Sequence, residues 1–303
     1  MEQLGLPLEL PRRSMSKIDV LDHGFVRLVS YTQPVPVEQT RVIIEETGEQ
    51  TSLYGQPAGW TGDLEIVRNA RVSYDADWRA GESESADARL INYLMRNRHT
   101  SPFEAMVFTF EIKCPLFIAR QWHRHRTWAY NEISARYAEL PEEFYVPRPE
   151  HVGKQSKHNK QVRDIVPSMD RHDYMRALDS TDMIRQECER SFITYRALIE
   201  RGVPREIARS VLPTATYTRY FGTVSLHNLF HFIRLRSHEH AQWEIRQYAD
   251  ALLNLIRPVC PSAVAAFEED REPRPWDEII REAIRAGNAT REQIQAILEE
   301  FVE

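Results

Sequence analysis

The order of strand-like and helical segments constrains the fold of this chain more than any other feature of the sequence. Residues 17–35 and 105–114 alternate apolar and polar side chains, as half-buried strands do. From residue 171 onward, the apolar residues recur mainly at helical spacing. Strands followed by helices, without a strand–helix–strand rhythm, predict an α+β fold in which a central, mostly antiparallel sheet packs with several long helices.

Helix periodicity and helix boundary signals locate the individual helices. They are predicted over residues 63–74, 83–99, 115–126, 171–202, 204–212, 225–236 and 240–259, and within 273–302. Pro115 suits the first position of its helix, and Gly202 suits the position just after a helix end. Ser85 or Asp87 is expected to cap the helix that starts near them.

The length of the chain permits one large domain or two of ordinary size. Residues 36–61 are expected to be an insertion. Residues 151–170 hold little apolar periodicity and are expected to form a long surface loop.

Charge and cysteine content limit the possible partners and compartments. The net charge of −6 gives no overall positive field that would attract nucleic acid. Three isolated cysteines without a CxxC pair fit a reducing compartment. The sequence shows neither a secretory signal nor an uncharged apolar stretch long enough to cross a bilayer. A cytoplasmic protein that acts on small molecules, without nucleic acid or membrane, is therefore expected.

Two common nucleotide-binding motifs are missing from the sequence. The chain has only 11 glycines and contains neither GxGxxG nor GxxxxGK[ST]. A Rossmann turn and a P-loop are therefore excluded as the means of holding a nucleotide.

Residues 120–137, RQWHRHRTWAYNEISARY, concentrate positive charge and aromatic side chains. Arg124, Arg126 and Arg136, with Ser134 between them, favour an anion site, because guanidinium groups form charge-assisted bonds with phosphate oxygens. The same segment is compatible with a platform for RNA or single-stranded nucleic acid, whose bases would stack on the aromatic rings. The residues alone leave both interpretations open.

Paired histidines raise a further alternative, a zinc-dependent hydrolase. His227 and His231 are four residues apart and would share one helical face, as zinc-binding pairs do. Pairs two residues apart are His123–His125 and His238–His240. Neither an HExxH motif nor a cysteine pair accompanies them, so no complete ligand set can be identified.

Nucleophilic catalysis has little support in the sequence. Ser134 does not lie in a GxSxG elbow. Cys114 falls at an inward position of a predicted strand, and nothing in the local sequence guarantees the cation or helix start that would lower its pKa. An inert, buried thiol is the expected state of Cys114.

Arg124-His125-Arg126, followed after seven residues by Ser134, resembles the signature of the flavin-dependent thymidylate synthases. Further similar blocks occur in the same order along residues 17–267. They are HTSPFEAMVFTFEIKCPLFIARQWHRHR (99–126), EFYVPRPE (143–150), RGVPREIARSVLP (201–213), YTRYFGTV (217–224) and LRSHEHAQWEIRQYA (235–249). Several ordered blocks make this resemblance far more specific than the short signature alone.

The resemblance implies a fold, a reaction and an assembly. It implies a single domain over residues 17–267, with an N-terminal extension over residues 1–16 and a C-terminal extension over residues 268–303 that carries the last helix. It also implies the α+β fold of that family and methylation of dUMP to dTMP, with methylenetetrahydrofolate as carbon donor. It further implies that NADPH supplies electrons through FAD and that no cysteine acts as nucleophile. The implied assembly is a homotetramer whose sites are shared between subunits.

The resemblance also implies roles for individual residues. Those expected to contact FAD are Ser101, Arg124, His125, Arg126, Glu132, Ser225, His227 and His231. Those expected to bind dUMP are Gln121, Trp122, His123, Arg124, Glu132, Ile133, Ser134, Ala135, Arg136, Arg209 and Arg236. Arg209 would reach dUMP from a neighbouring subunit, and Arg236 would be catalytic. Ser73 and His99 match further positions near the flavin.

Ser225-Leu226-His227 departs from the Asn-x-Arg that is usual in the family. A serine hydroxyl replaces an amide, and a titratable imidazole replaces a fixed positive charge. This departure from the family pattern affects the binding of FAD and not the chemistry at the pyrimidine.

The chemistry assigned to Arg236 has a simple physical basis. Loss of the N3 proton makes the uracil ring more nucleophilic at C5, and an adjacent guanidinium favours that anion. Without the family blocks, an ion pair with Glu239 or Glu244 would be the preferred role for Arg236.

Overall fold

A five-stranded antiparallel sheet in the order β1-β2-β3-β7-β4 organises the molecule. The computed structural model describes residues 17–32, 62–157, 163–165 and 169–271, together with residue 290. The strands are β1 (Lys17–Val20), β2 (Gly24–Tyr31), β3 (Val107–Pro115), β4 (Ala129–Glu132), β5 (Lys154–Gln155), β6 (Arg163–Asp164) and β7 (Tyr217–Ser225). The short strands β5 and β6 pair only with each other. The mostly antiparallel sheet predicted from the sequence is confirmed.

Helices cover the sheet, and those over residues 101–104, 149–152 and 261–271 were not predicted from the sequence. They are α1 (Gly62–Arg71), α2 (Glu84–Arg96), α3 (Ser101–Glu104), α4 (Leu116–Trp122), α5 (Pro149–Val152), α6 (Arg171–Glu200), α7 (Arg205–Ala208), α8 (Leu226–Arg236), α9 (Trp243–Ile256) and α10 (Pro261–Arg271). Short 3-10 turns occupy Val72–Tyr74, Asp77–Arg79 and Arg209–Val211. Gly202, at φ +78°, follows the end of α6 as expected, because glycine adopts a positive φ without steric cost.

The core lies between the sheet and the helices α8, α9 and α10. From β3, the side chains of Phe108, Phe110 and Ile112 are fully buried, which agrees with the alternation seen in the sequence. The central strand β7 runs beside β3 from Val107 opposite Ser225 to Pro115 opposite Tyr217. This long register fixes the start of α4 relative to the start of α8, since each helix follows its strand directly.

Several boundary predictions were wrong. The helix predicted over 115–126 ends at Trp122, so the RHR triplet lies in a turn. Pro115 is the last residue of β3 and the N-cap of α4, not its first helical residue. Ser83 caps α2 by accepting from the backbone N–H of Ala86, in place of the expected Ser85 or Asp87.

Other predictions concern segments that are only partly described. The region predicted as a long loop over 151–170 contains the end of α5 and the β5–β6 pair. Predictions for residues 1–16 and 36–61 lie outside the described residues, as does the helix within 273–302 apart from residue 290. Among the described helices, none has the length and apolar character needed to cross a bilayer.

Candidate active site

The RHR triplet lies in the turn that joins α4 to β4. Trp122 ends α4 with its indole completely buried against Phe232, at a ring separation of 4.6 Å. The backbone N–H of His125 then donates to the Trp122 carbonyl at 2.9 Å, which closes the turn. As a result, His125 points inward with 8% exposure, while Arg124 and Arg126 on either side of it are exposed.

Arg236, at the C-terminal end of α8, contacts this turn directly. Its Nε donates to Nε2 of His125 at 2.9 Å, and a terminal nitrogen donates to the backbone carbonyl of Gln121 at 3.3 Å. Glu244 instead pairs with Arg163, and Glu239 lies beside His240. The ion pair with Glu239 or Glu244 that the helix spacing favoured is therefore wrong.

His125 is neutral in this environment. Burial lowers its pKa to about 4, with further contributions from the positive charge of Arg236 and from His231. A neutral ring can accept a hydrogen bond at Nε2 while its other nitrogen carries the proton. His125 therefore orients the Arg236 guanidinium without cancelling its charge.

A compact turn follows β4. The carbonyl of Ser134 accepts from the backbone N–H of Tyr137 at 3.0 Å, and its hydroxyl accepts from the backbone N–H of Arg136 at 3.3 Å. Before the turn, a carboxylate oxygen of Glu132 accepts from the Thr218 hydroxyl of β7 at 2.5 Å. Arg136 is exposed and Ile133 is 37% exposed, so this turn lies at the surface. The Arg136 guanidinium is therefore open to a ligand.

Two of the residues expected on the flavin side, Ser225 and His227, lie against Glu104 at the end of α3. A carboxylate oxygen of Glu104 accepts from the Ser225 hydroxyl at 2.5 Å, and the other lies 3.8 Å from Nε2 of His227. Asn228 donates to the same Ser225 hydroxyl at 3.0 Å. Ser101 is exposed at the start of α3. The departure at Ser225 and His227 therefore forms one cluster with an acidic residue that the sequence reasoning did not single out.

A cavity of about 170 Å³ lies next to this cluster, between α2, α8 and α10. Its lining residues are Leu94, Met95, Arg98, Thr100, Phe103, His227, Phe230, His231, Arg234 and Phe267. Asp270, at 3% side-chain exposure, pairs with both Arg98 and Arg234. Sequence reasoning identified only His227 and His231 here, because the other lining residues are spread over α2, the loop after it, α3, α8 and α10.

Some of the predicted site residues have side chains that serve the core. The Trp122 indole is buried, so only its backbone can contact a ligand. The His123 ring packs against Tyr130 and Tyr220, at ring separations of 4.5 and 5.2 Å. Arg209 is exposed on the 3-10 turn after α7.

Ser73 and His99, matched to the flavin region, have local partners. The Ser73 hydroxyl donates to the Ala70 carbonyl at 2.9 Å, within the first turns after α1. The exposed His99 ring lies edge-on to Tyr93 at 5.8 Å. Neither contact joins them to the RHR turn.

The histidine pairs do not gain a third ligand in the described part of the chain. The one group of three potential ligands found there is Asp170, His172 and Asp173, at the start of α6. Asp170 caps this helix by accepting from the Asp173 N–H at 2.8 Å, and Asp173 pairs with Lys154 at 2.7 Å. The carboxylates are thus engaged in capping and an ion pair, which gives a structural reason for the cluster.

Cys114 lies inside the sheet, as expected. It is fully buried, and its Sγ is 3.8 Å from the Tyr220 hydroxyl. Burial raises the pKa of the Cys114 thiol far above its ordinary value, so the thiolate is not available as a nucleophile.

Replacing Cys114 with alanine is expected to leave turnover within about threefold of the wild type, because the mutation removes only a small apolar group. Steady-state assays and a thermal melt of the purified variant would check this. Complete loss of activity in a folded Cys114→Ala protein would contradict the conclusion that the thiol has no chemical role.

Comparison with known proteins shows the family of this chain. Residues 59–262 match the family model described as thymidylate synthase complementing protein. A flavin-dependent thymidylate synthase from Thermus thermophilus is 44% identical over 252 residues, which is 83% of this chain and 78% of that protein. The one from Treponema denticola is 41% identical over 251 residues, 82% and 80% of the two chains.

A solved structure shows the same similarity in three dimensions. The UMP/dUMP methylase PolB from Streptomyces cacaoi, bound with 5-Br dUMP, is 31% identical with a TM-score of 0.64. The alignment covers 83% of this chain and 97% of that one. Fold and site thus define an α+β enzyme. The chain belongs to the thymidylate synthase complementing protein family, the flavin-dependent thymidylate synthases.

Proposed function

We propose that this protein methylates dUMP to dTMP, with methylenetetrahydrofolate as carbon donor and NADPH as reductant, through a bound FAD. The observation that carries the proposal is the placement of Arg236 against neutral His125 in the RHR turn. Family membership and the dUMP-analogue complex of the PolB methylase support it.

The residues of the site fit the anionic ligands that this reaction requires. Arg124 and Arg126 are exposed, and no carboxylate pairs with either of them among the described residues. His227 and His231 line a cavity that is also lined by Arg98 and three phenylalanines. Free guanidinium groups and imidazoles can hold phosphates, and the apolar wall can cover a ring.

Flavin binding is assigned to residues from two parts of the site. The proposed contacts are Ser101, Arg124, His125, Arg126, Glu132, Ser225, His227 and His231. FAD, when bound, supplies the electron transfer, and the protein supplies its position and its electrostatic surroundings. The Glu104 cluster fixes the Ser225 hydroxyl, so this position offers a preoriented oxygen instead of the amide usual in the family.

Nucleotide binding is assigned to the RHR turn and the turn after β4. The proposed contacts are Gln121, Trp122 through its backbone, His123, Arg124, Glu132, Ile133, Ser134, Ala135, Arg136, Arg209 and Arg236. Ser134 and Arg136 would hold the phosphate, because their hydroxyl and guanidinium groups are donors on a short exposed turn. Arg209 would come from a neighbouring subunit of a homotetramer, which suits its exposed position.

Arg236 would activate the pyrimidine. A guanidinium beside the N3–O2 edge stabilises the ring anion and lowers the pKa of an adjacent acid by about 1–3 units. Arginine keeps its own proton and therefore acts by charge and hydrogen bonding. Because His125 is uncharged, the full positive charge of Arg236 remains available to the ring. The buried Cys114 is not needed in this scheme.

Purified protein is expected to be yellow, or to become yellow with added FAD, and to oxidise NADPH only when dUMP is present. A visible absorbance spectrum and a coupled NADPH assay would check both points. A colourless protein that fails to take up FAD would contradict the proposal. Salt-dependent affinity for polynucleotides or stoichiometric zinc would instead support one of the alternatives considered from the sequence.

A further inference from the structure

A buried carboxylate near the site has no part in the mechanism described so far. Glu244 lies in the first turn of α9 and is 1% exposed. Arg163 donates to both of its oxygens at 2.6 and 3.2 Å, Gln242 donates through Nε2 at 2.8 Å, and the Tyr145 hydroxyl donates at 3.1 Å. Burial alone would raise the pKa of Glu244, but the hydrogen bonds and charge of Arg163 hold it below its ordinary value. Glu244 is therefore an anion that accepts from three residues.

The charge of Glu244 determines the orientation of the neighbouring amide. An ionised carboxylate accepts hydrogen bonds and donates none, so Gln242 must turn its NH2 group toward Glu244. The opposite orientation would set the Gln242 carbonyl oxygen against the carboxylate, with two acceptors facing each other and no proton between them. The geometry of the carboxylate therefore fixes which end of the Gln242 side chain faces α4.

The orientation of the Gln242 amide in turn determines the orientation of the Gln121 side chain. Gln121 lies in α4, and its backbone carbonyl accepts from Arg236. The Gln242 carbonyl oxygen accepts from Nε2 of Gln121 at 2.6 Å. Gln121 thus uses its NH2 group on Gln242 and keeps its side-chain carbonyl oxygen. In the described part of the chain, no group donates to this oxygen, and Gln121 is only half-buried.

We propose that Glu244 and Gln242 are positioning residues that fix the orientation of the Gln121 amide, so that its NH2 end faces Gln242 and its carbonyl oxygen is the end left for the nucleotide. The inference rests on the proposed function, in which Gln121 contacts dUMP. An acceptor at this position selects a nucleotide that offers a donor. The two neutral donors of dUMP are the ring N3–H and the ribose 3′-hydroxyl. The hydrogen-bonded chain from Glu244 through Gln242 to Gln121, called the relay below, also supports Arg236, because the backbone carbonyl of Gln121 accepts from Arg236.

Replacing Glu244 with glutamine tests this orientation, because a carboxamide of the same shape can either donate or accept. The probes are dUMP and two analogues that each lack one donor, N3-methyl-dUMP and 3′-deoxy-dUMP, titrated calorimetrically into the flavin-loaded protein. In the wild type, at least one analogue is expected to bind about tenfold or more weakly than dUMP, because the Gln121 acceptor loses its donor. In Glu244→Gln this ratio is expected to fall to about threefold or less, since Gln121 can then turn.

Two further variants distinguish a change in the orientation of the Gln121 amide from a general loosening of the structure around Glu244. Gln242→Met interrupts the relay but keeps the Glu244–Arg163 pair, so the ratio of analogue to dUMP dissociation constants should fall in this variant as well. This variant tests the proposal even if Glu244→Gln does not fold. Tyr145→Phe removes a donor to Glu244 without changing any amide orientation, so the ratio should stay as in the wild type.

The outcomes decide between the possibilities. Any one of three results would overturn the proposed orientation of the Gln121 amide. They are an unchanged ratio in Gln242→Met, a reduced ratio in Tyr145→Phe, and equal binding of all three probes by the wild type. Failure of the flavin-loaded wild type to bind dUMP would instead remove the proposed function, and this inference with it.

Discussion

Replacing Arg236 with alanine is expected to lower dTMP formation by about 10²–10³-fold, as does the loss of one preorganised group that stabilises developing charge. The side chain lies at the end of α8 and is held by His125 and the Gln121 carbonyl, so its loss removes a positioned charge and not a core contact. Flavin content should stay at the wild-type level, because the proposed flavin contacts lie on other residues. Single-turnover assays and the absorbance spectrum would measure the two effects separately.

Lysine at position 236 provides a graded comparison. It keeps the charge but cannot form both hydrogen bonds in the fixed geometry of a guanidinium, so an intermediate rate is expected. Arg257→Ala is a suitable control, since Arg257 forms a surface pair with Glu268 and should change the rate little. Full turnover by Arg236→Ala would rule out the catalytic role assigned to this residue.

The second large effect is expected for Trp122, which ends α4. Truncation to alanine should lower the free energy of unfolding by about 3–5 kcal/mol, as for other buried tryptophans. Its indole contacts Phe232 at 4.6 Å, Trp128 at 5.6 Å and Tyr248 at 6.0 Å, so a cavity would open where α4, α8 and α9 meet. The RHR turn begins at this residue, and activity should therefore fall as well.

Urea denaturation at fixed protein concentration would measure the loss of stability. The matched control is Trp78→Ala, because the Trp78 side chain is 47% exposed and lies in the 3-10 turn after α1. Its effect should stay within about 0.5 kcal/mol. A loss below about 1 kcal/mol in Trp122→Ala would contradict the role of this indole as the support of the turn.

The sheet could be predicted only in part from the sequence, and strand β7 shows why. Its alternately buried residues are Thr218, Tyr220, Gly222 and Val224, of which two are not apolar. Gly222 is buried because the Trp128 ring lies close above it, where an added Cβ would come within 3.0 Å. An alternation that depends on a glycine beside an aromatic ring from the turn before β4 is not visible as a hydrophobic pattern.

The site was predictable where its residues are close in sequence. The RHR turn and the turn over 132–136 lie within one segment, so charge and spacing favoured an anion site but left a nucleic-acid platform open, and only the family resemblance decided between them. Glu104, Gln242 and Glu244 were missed, since each is a single polar residue in a segment that otherwise looks like an ordinary helix. Only the folded structure brings Gln242 next to Gln121, 121 residues away in sequence.

A strand continues directly into a helix at Pro115–Leu116 and again at Ser225–Leu226. These two junctions restrict where residues can be inserted into or deleted from the chain. No linker separates β3 from α4 or β7 from α8. One residue added at either junction would turn the following helix by about 100°, because an α-helix has 3.6 residues per turn. Arg236 and His125 would then face different sides of the molecule. Insertions and deletions are therefore compatible with this site only where the chain runs through loops, and these two junctions must keep their length.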